Sequence, residues 1–160
     1  MSSEFNLLEV TPTINTVEYD VGDCIFVSTE IGGFFRGTND SAEIKSLTII
    51  DRSVDAPAMY VYLTTNSTTL GAINATANGA DAVVDDVQCI IPVVAADFLG
   101  GAAFTDTCSV ACITDPSNDG IGCIVKASGS RSMYICAILA AGAETFAAGD
   151  LTFKIGVKYL

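Results

Sequence analysis

Six cysteines and nineteen carboxylates are the side chains of this sequence that could carry chemistry, since it contains no histidine. Without imidazole the chain lacks the usual general base near pH 7 and the commonest metal ligand. Serine triads and cysteine–histidine dyads are therefore impossible in their ordinary forms. The sequence argues against most hydrolase chemistry, and we expect no catalytic residue and no enzyme activity.

The cysteines do not have the spacing of a metal site. No pair forms a C-x-x-C motif, and zinc would need four of these thiolates because histidine is missing. Five of the six lie in apolar runs, where a free thiol packs as a small hydrophobic side chain. Cys108, beside Thr107 and Ser109, is the thiol that we expect to be accessible. No export signal is evident, which favours a reducing compartment and free thiols. The six are Cys24, Cys89, Cys108, Cys112, Cys123 and Cys136.

Two acidic motifs resemble cation sites only in part. The D-x-S-x-D-G pattern at 115–120 matches the start of an EF-hand loop, which requires Glu at its twelfth position, but that position is Lys126. We therefore expect a turn between two strands there. Asp81 and Asp85 would share one face of a short helix, with Asp86 beside them, and a solvated helix start explains such a cluster. We expect no metal ion and no cofactor.

The length, hydrophobicity and charge of the chain exclude several classes of protein. The length of 160 residues corresponds to one domain, and 50% hydrophobic with 16% charged residues excludes a disordered chain. No apolar run reaches the roughly 18 residues of a membrane-spanning helix. The net charge of −12 comes from only seven basic residues, so we expect no nucleic acid and no anionic membrane as partners.

Period-two alternation of apolar and polar residues predicts strands along most of the chain. The alternation is clearest at 151–159. The segment 132–139 is instead apolar on both faces, as expected of a central strand. We predict an all-β antiparallel sandwich or jelly-roll-like barrel with little helix, that is, two turns at 80–87 and one at 95–98. The polar stretch 64–81 is expected to be a surface excursion. Further strands are predicted at 13–19, 24–27, 44–52, 58–65, 87–94, 108–114 and 121–127.

The first eleven residues include four apolar side chains between positions 5 and 10, yet no turn signal connects the segment to a neighbouring strand. We divide the chain into an extended N-terminal arm, 1–11, and a sandwich domain, 12–160. The arm is either a pairing strand or a tether to another subunit. The candidate interface residues are Phe5, Leu7, Leu8 and Val10.

Several stretches, in this order, are similar to small virion structural proteins of tailed bacteriophages, among them capsid decoration or cement proteins. The resemblance covers about residues 19–160, and each stretch by itself is an ordinary strand. The six cysteines depart from the family pattern and leave open disulfide formation after virion release. The stretches are YDVGDCI (19–25), SLTIIDR (46–52), APAMYVYL (56–63), VVAADF (93–98), ASGSRSMYI (127–135), GAETF (142–146) and GDLTF (149–153).

This resemblance implies a β-sandwich on the outer capsid surface, made in the host cytoplasm, with the major capsid protein as partner and a homotrimer as the expected assembly. It transfers no catalytic residue and implies no small-molecule substrate. Two alternatives remain: a tail, neck or fibre-associated virion protein, and a lectin-like sandwich. The lectin alternative would need Tyr60, Tyr62 and Tyr134 as a sugar-binding platform, although strand packing explains them as well.

Overall fold

Ten strands form two antiparallel sheets in the residues that this computed structural model describes, namely 4–67, 69–79, 81–99, 108–114 and 121–160. The expected turn at 115–120 lies outside these residues. The strands are β1 (Phe5–Val10), β2 (Cys24–Ile31), β3 (Ser41–Asp51), β4 (Met59–Thr64), β5 (Val87–Val93), β6 (Phe98–Leu99), β7 (Ser109–Ile113), β8 (Cys123–Lys126), β9 (Met133–Leu139) and β10 (Leu151–Tyr159).

The order of the strands is that of a jelly roll. One sheet has the order β1-β10-β3-β7-β6, and β8 pairs with the first part of β3, while β7 pairs with its last part. The other sheet has the order β2-β9-β4-β5. The chain passes from one sheet to the other between β1 and β2 and again between β3 and β4, as in double-sheet jelly rolls. The predicted all-β antiparallel sandwich is confirmed.

The core lies between the sheets and follows from the alternation in the sequence. On β10 the side chains of Leu151, Phe153, Ile155 and Val157 are completely buried. Phe26 of β2 packs against Phe153 from the opposite sheet, with ring centroids 5.2 Å apart. The strand at 132–139 is present as β9 and is central, between β2 and β4, as predicted.

Two local predictions are wrong and a third is confirmed. The segment 13–19 is not a strand, because its only ladder contact is an isolated bridge from Tyr19 to Glu144. The helix expected at 80–87 is one turn, α1 (Asp81–Val84), so Asp85 lies beyond its end and does not share a helix face with Asp81. The single turn expected at 95–98 is present as a 3-10 turn, Ala95–Asp97.

The polar stretch after β4 is more than a surface excursion. Leu70 is buried, and the backbone of the segment 69–79 forms hydrogen bonds with the start of β2 and the residues just before it. The amide of Cys24 donates to the carbonyl of Ala75 at 3.0 Å, and the amide of Asn74 donates to the carbonyl of Cys24 at 2.9 Å. Edge strand β2 thereby satisfies backbone groups that would otherwise remain open to other chains.

Candidate interaction surfaces

The N-terminal segment is the edge strand β1, paired with β10 over its whole length. The sequence left a pairing strand and a tether open, and within this chain the segment pairs. Its apolar residues divide by alternation. Leu8 and Val10 are half-buried against the core, whereas Phe5 is 65% exposed and Leu7 is 61% exposed. Only Phe5 and Leu7 therefore present apolar surface to a partner.

The start of β1 is fastened to the domain. Glu4 forms an ion pair with Arg36, whose guanidinium lies 4.7 Å from the centre of the Tyr159 ring. Asn6 Nδ2 donates to the Tyr159 hydroxyl at 3.2 Å. Farther along, Glu9 pairs with Lys154 at 3.2 Å. These contacts hold the exposed side chains of β1 in a defined position at the edge of the sheet.

A second apolar surface, which we name the β4–β5 face, consists of Tyr60, Tyr62, Ile90 and Pro92. Tyr60 lies opposite Pro92, and Tyr62 lies opposite Ile90, on the outer side of the four-stranded sheet. Tyr60 is 45% exposed and Ile90 is 52% exposed. Cross-strand pairing of this kind places large apolar groups side by side. The sequence pattern predicted these strands, but not which of their faces would remain uncovered.

The same sheet is covered at its other end. Cys24 and Cys136 are buried there, and the segment 69–79 forms hydrogen bonds with the backbone of Cys24. A side chain at Gly71 would place its Cβ 2.9 Å from the Cys24 sulfur, so glycine permits this close approach. Burial, and then the nearby Cys24, raises the pKa of the Cys136 thiol to about 12. This thiol is therefore protonated at neutral pH and poorly nucleophilic.

A shallow apolar groove of about 340 Å³ lies beside β5. Ile90, Ile91 and Pro92 form one wall, and Ile113, Thr114 and Ile121 form the other. It adjoins the β4–β5 face, with which it shares Ile90 and Pro92. Its lining offers one side-chain hydroxyl and otherwise hydrocarbon, which suits contact with another apolar surface better than recognition of a polar ligand.

The tyrosines predicted as an alternative sugar platform share the outer side of the four-stranded sheet. Tyr134 lies opposite Thr64, and Tyr62 lies opposite Cys136. Among the three, only Tyr60 is classed as exposed, while Tyr62 and Tyr134 are half-buried. The geometry offers one accessible ring rather than a platform of three.

The cysteines are less uniformly buried than the sequence predicts. Cys24, Cys89 and Cys136 are buried, Cys108 and Cys123 are half-buried, and Cys112 is exposed. The expectation that Cys108 is the accessible thiol is therefore wrong. Strand β7 turns Ser109 and Ala111 inward, and alternation then directs Cys112 outward, where the Thr48 hydroxyl donates to its sulfur at 3.6 Å.

Two acidic residues near the short helix and the 3-10 turn have hydrogen-bond partners within the chain. Asp86 accepts a hydrogen bond from the side-chain Nδ2 of Asn66 at 2.7 Å, and Asp97 accepts one from the backbone amide of Val94 at 2.9 Å. No group of three potential metal ligands is found among the described residues. Within the same residues, no helix has the length and apolarity needed to cross a membrane.

Comparison with known protein families finds no match, and comparison with curated proteins finds none either. Among solved structures, a chain of tomato aspermy virus is 12% identical with a TM-score of 0.44, over 98% of this chain and 76% of that chain. The PRD1 vertex protein is 6% identical with a TM-score of 0.38, over 98% of this chain and 96% of that chain. A chain of Desmodium yellow mottle tymovirus is 13% identical with a TM-score of 0.28, over 99% and 82% of the two chains. The neighbours are viral structural proteins, but at such low scores the likeness carries no argument about what this chain does.

Proposed function

We propose that this protein is a structural component of a virus particle, and specifically a capsid decoration protein of a tailed bacteriophage. The observation that carries the proposal is the strand order, β1-β10-β3-β7 against β2-β9-β4-β5, which is the jelly-roll order used by viral capsid and lectin domains. The sequence resemblance described above points to the same class. A domain that has no histidine and that exposes apolar side chains suits a protein whose role is to bind other proteins.

The contact surface that we assign is the outer side and free edge of β1. Phe5 and Leu7 project from it, and the terminal position of β1 in its sheet leaves one edge without a neighbouring strand, while the Leu7 amide donates to Asn6 Oδ1 at 3.0 Å. A neighbouring subunit could add a strand there through main-chain hydrogen bonds. Leu8 and Val10 support the strand from the inside, so their part in the interface is indirect.

The proposed partner is the major capsid protein, and the proposed assembly is a homotrimer on the outer surface of the shell. The protein would be made in the host cytoplasm and added to the capsid there. Its net charge of −12 opposes any contact with the packaged genome, because both would be polyanions. Many weak contacts repeated over the shell would together stabilise it strongly.

Capsid occupancy tests this function. Phe5→Ser combined with Leu7→Ser removes apolar surface from β1 and leaves its core-facing side intact. Val17→Ser combined with Val21→Ser is the matched control, because these valines are also exposed but lie outside β1. Each variant is mixed with capsids that lack the protein, the particles are sedimented, and the copies per particle are counted by quantitative mass spectrometry. Light scattering on the free protein measures the number of subunits.

We expect the control to occupy the whole shell as a trimer and the β1 variant to lose at least about tenfold in affinity, since two exposed anchors are removed. Equal occupancy by both variants would refute the β1 interface. A native protein present in only a few copies at one vertex would refute decoration and favour the neck or tail alternative. Binding to glycans that is lost in Tyr60→Ala, without binding to capsids, would favour the lectin alternative.

A further inference from the structure

Two thiols meet where the two sheets come together at one side of the sandwich. Cys89 lies on β5, the edge strand of the four-stranded sheet, opposite the buried Leu63. Cys123 begins β8, in the other sheet, opposite the buried Ile44. Alternation along each strand therefore directs both side chains toward the space between the sheets.

Side-chain contacts connect these two strands. The Cys123 thiol donates a hydrogen bond to the carbonyl of Gln88, the residue before Cys89, at 3.4 Å. The amide of Lys126, at the other end of β8, donates to Gln88 Oε1 at 3.4 Å. Cys123 is also close enough to Cys89 to affect its ionisation, since, after burial, hydrogen bonding to Cys123 and the charge of Cys123 both help to raise the pKa of the Cys89 thiol. Gln88 thus contacts both ends of β8 and places the Cys123 thiol beside the backbone of the residue before Cys89.

We propose that Cys89 and Cys123 form a disulfide that joins the two sheets when the protein meets a small-molecule disulfide oxidant. The bond would fasten the side of the jelly roll where β5 and β8 are in contact but are not paired in a sheet. The inference concerns the chain itself and does not depend on the proposed function.

The reaction proceeds by two thiol–disulfide exchanges. The Cys123 thiolate attacks one sulfur of oxidised glutathione, forms a mixed disulfide and releases one glutathione thiolate, which takes up a proton. The Cys89 thiolate then attacks the Cys123 sulfur and expels the second glutathione. Two protein thiols are oxidised to one disulfide, and one oxidised glutathione is reduced to two glutathione thiols.

The exposure of the two thiols determines this order. Cys123 is half-buried and can be reached by the oxidant, whereas Cys89 is only 7% exposed and is reached only by its neighbour. Burial raises the pKa of the Cys89 thiol, and the hydrogen bond to Cys123 and its charge raise it further. Because the thiolate is the attacking species, the second exchange should become faster as the pH rises.

A second pair of cysteines provides an internal control for the proposed disulfide. Cys24 and Cys136 also lie close together, because Cys136 is two residues before Ile138, the partner of Cys24 on β9. Both of these thiols are buried, and Gly71 lies close to the Cys24 sulfur. Neither can begin an exchange with glutathione, so we expect this pair to remain reduced in the folded protein.

The experiment uses the full-length reduced protein, incubated with oxidised glutathione at several pH values, alkylated and digested for mass spectrometry. We expect a cross-linked peptide pair containing Cys89 and Cys123, lighter by two hydrogen atoms, that forms faster at higher pH. The oxidised protein should unfold about 5–10 °C higher than the reduced protein. Cys123→Ser should abolish the cross-link and the shift, whereas Cys112→Ser should retain both.

Three results would overturn the proposal. The first is a map in which Cys24 is joined to Cys136 while Cys89 and Cys123 remain free. The second is a product that carries only glutathione adducts at Cys112 or Cys123 after long incubation at high pH. The third is a cross-link between two chains on a non-reducing gel. The peptide map of the unmodified sequence decides among these outcomes even if Cys123→Ser fails to fold.

Discussion

Asp51, at the end of β3, is a completely buried carboxylate around which the following turn is built. One of its oxygens accepts hydrogen bonds from the amide and hydroxyl of Ser53, at 2.9 and 2.5 Å. The other accepts from the amide of Ala56 at 2.9 Å and from the hydroxyl of Ser109 on β7 at 3.1 Å. The turn holds Val54 and Ala56 at φ values of 68° and 52°, a region that residues other than glycine seldom adopt. Asp51 stabilises a conformation that the chain would otherwise avoid.

Asp51→Asn should lower the free energy of unfolding by about 2–3 kcal/mol, because it replaces one accepting oxygen by an NH₂ group that faces N–H or O–H donors. Urea unfolding followed by circular dichroism measures the change. Asp55→Asn is the matched control, since Asp55 is exposed in the same turn, and it should change stability by less than about 0.5 kcal/mol. Equal losses in the two variants would show that the hydrogen bonds of Asp51 do not stabilise the turn.

Strand β1 combines two roles on its two sides. Its inner side, with Leu8 opposite Ile155 and Val10 opposite Phe153, covers the buried residues of β10. Its outer side carries Phe5 and Leu7 and is not needed for the core. An edge strand of this kind can stabilise its own domain and remain available to a partner, which is why we prefer substitutions on its outer side to deletion of residues 1–11.

Leu8→Ala should destabilise the domain by about 1–2 kcal/mol, because it removes half-buried methyl groups that pack against the core. Leu7→Ala, at the adjacent exposed position, should change stability by less than about 0.5 kcal/mol. Thermal and urea unfolding of the two variants measure the difference. A larger loss in Leu7→Ala than in Leu8→Ala would mean that β1 presents the opposite side to the core.

At the scale of the whole molecule, charge is strongly unbalanced. The chain has 19 acidic and 7 basic residues. Among the described residues, the ion pairs are Glu4–Arg36, Glu43–Lys45, Glu9–Lys154 and Glu43–Lys158. All involve at least partly exposed side chains, for which an ion pair contributes little. Repulsion among the many remaining carboxylates therefore opposes the compact state.

Raising the ionic strength should stabilise the protein, because salt screens this repulsion over distances beyond about 10 Å. We expect the free energy of unfolding to increase by about 1 kcal/mol between low salt and physiological salt. Glu18→Gln combined with Asp20→Asn, at two exposed positions, should raise stability at low salt and reduce the salt effect. If salt destabilises the protein instead, its few ion pairs outweigh the net repulsion.

The sequence by itself determined where most of the strands lie and excluded much of the chemistry. Alternation along 151–159 predicted both strand β10 and its inward-facing residues, because the direction of a side chain on a strand has period two and depends only on its neighbours. The missing histidine excluded imidazole catalysis without any coordinates. The long bulged strand β2 was predicted only at its start, since its register with β9 shifts twice and interrupts the alternation.

Only the tertiary structure decided which strands are neighbours. The pairing of β1 with β10 brings together opposite ends of the chain, and the sequence left that segment open between strand and tether. The proximity of Cys89 to Cys123 and the exposure of Cys112 likewise depend on which sheet lies opposite each strand. The local composition around a cysteine is the same whether its thiol faces the core or the solvent. Which strands pair, and which side of each strand is buried, depends on the total apolar area that is buried when distant segments come together. No short stretch of sequence contains that information.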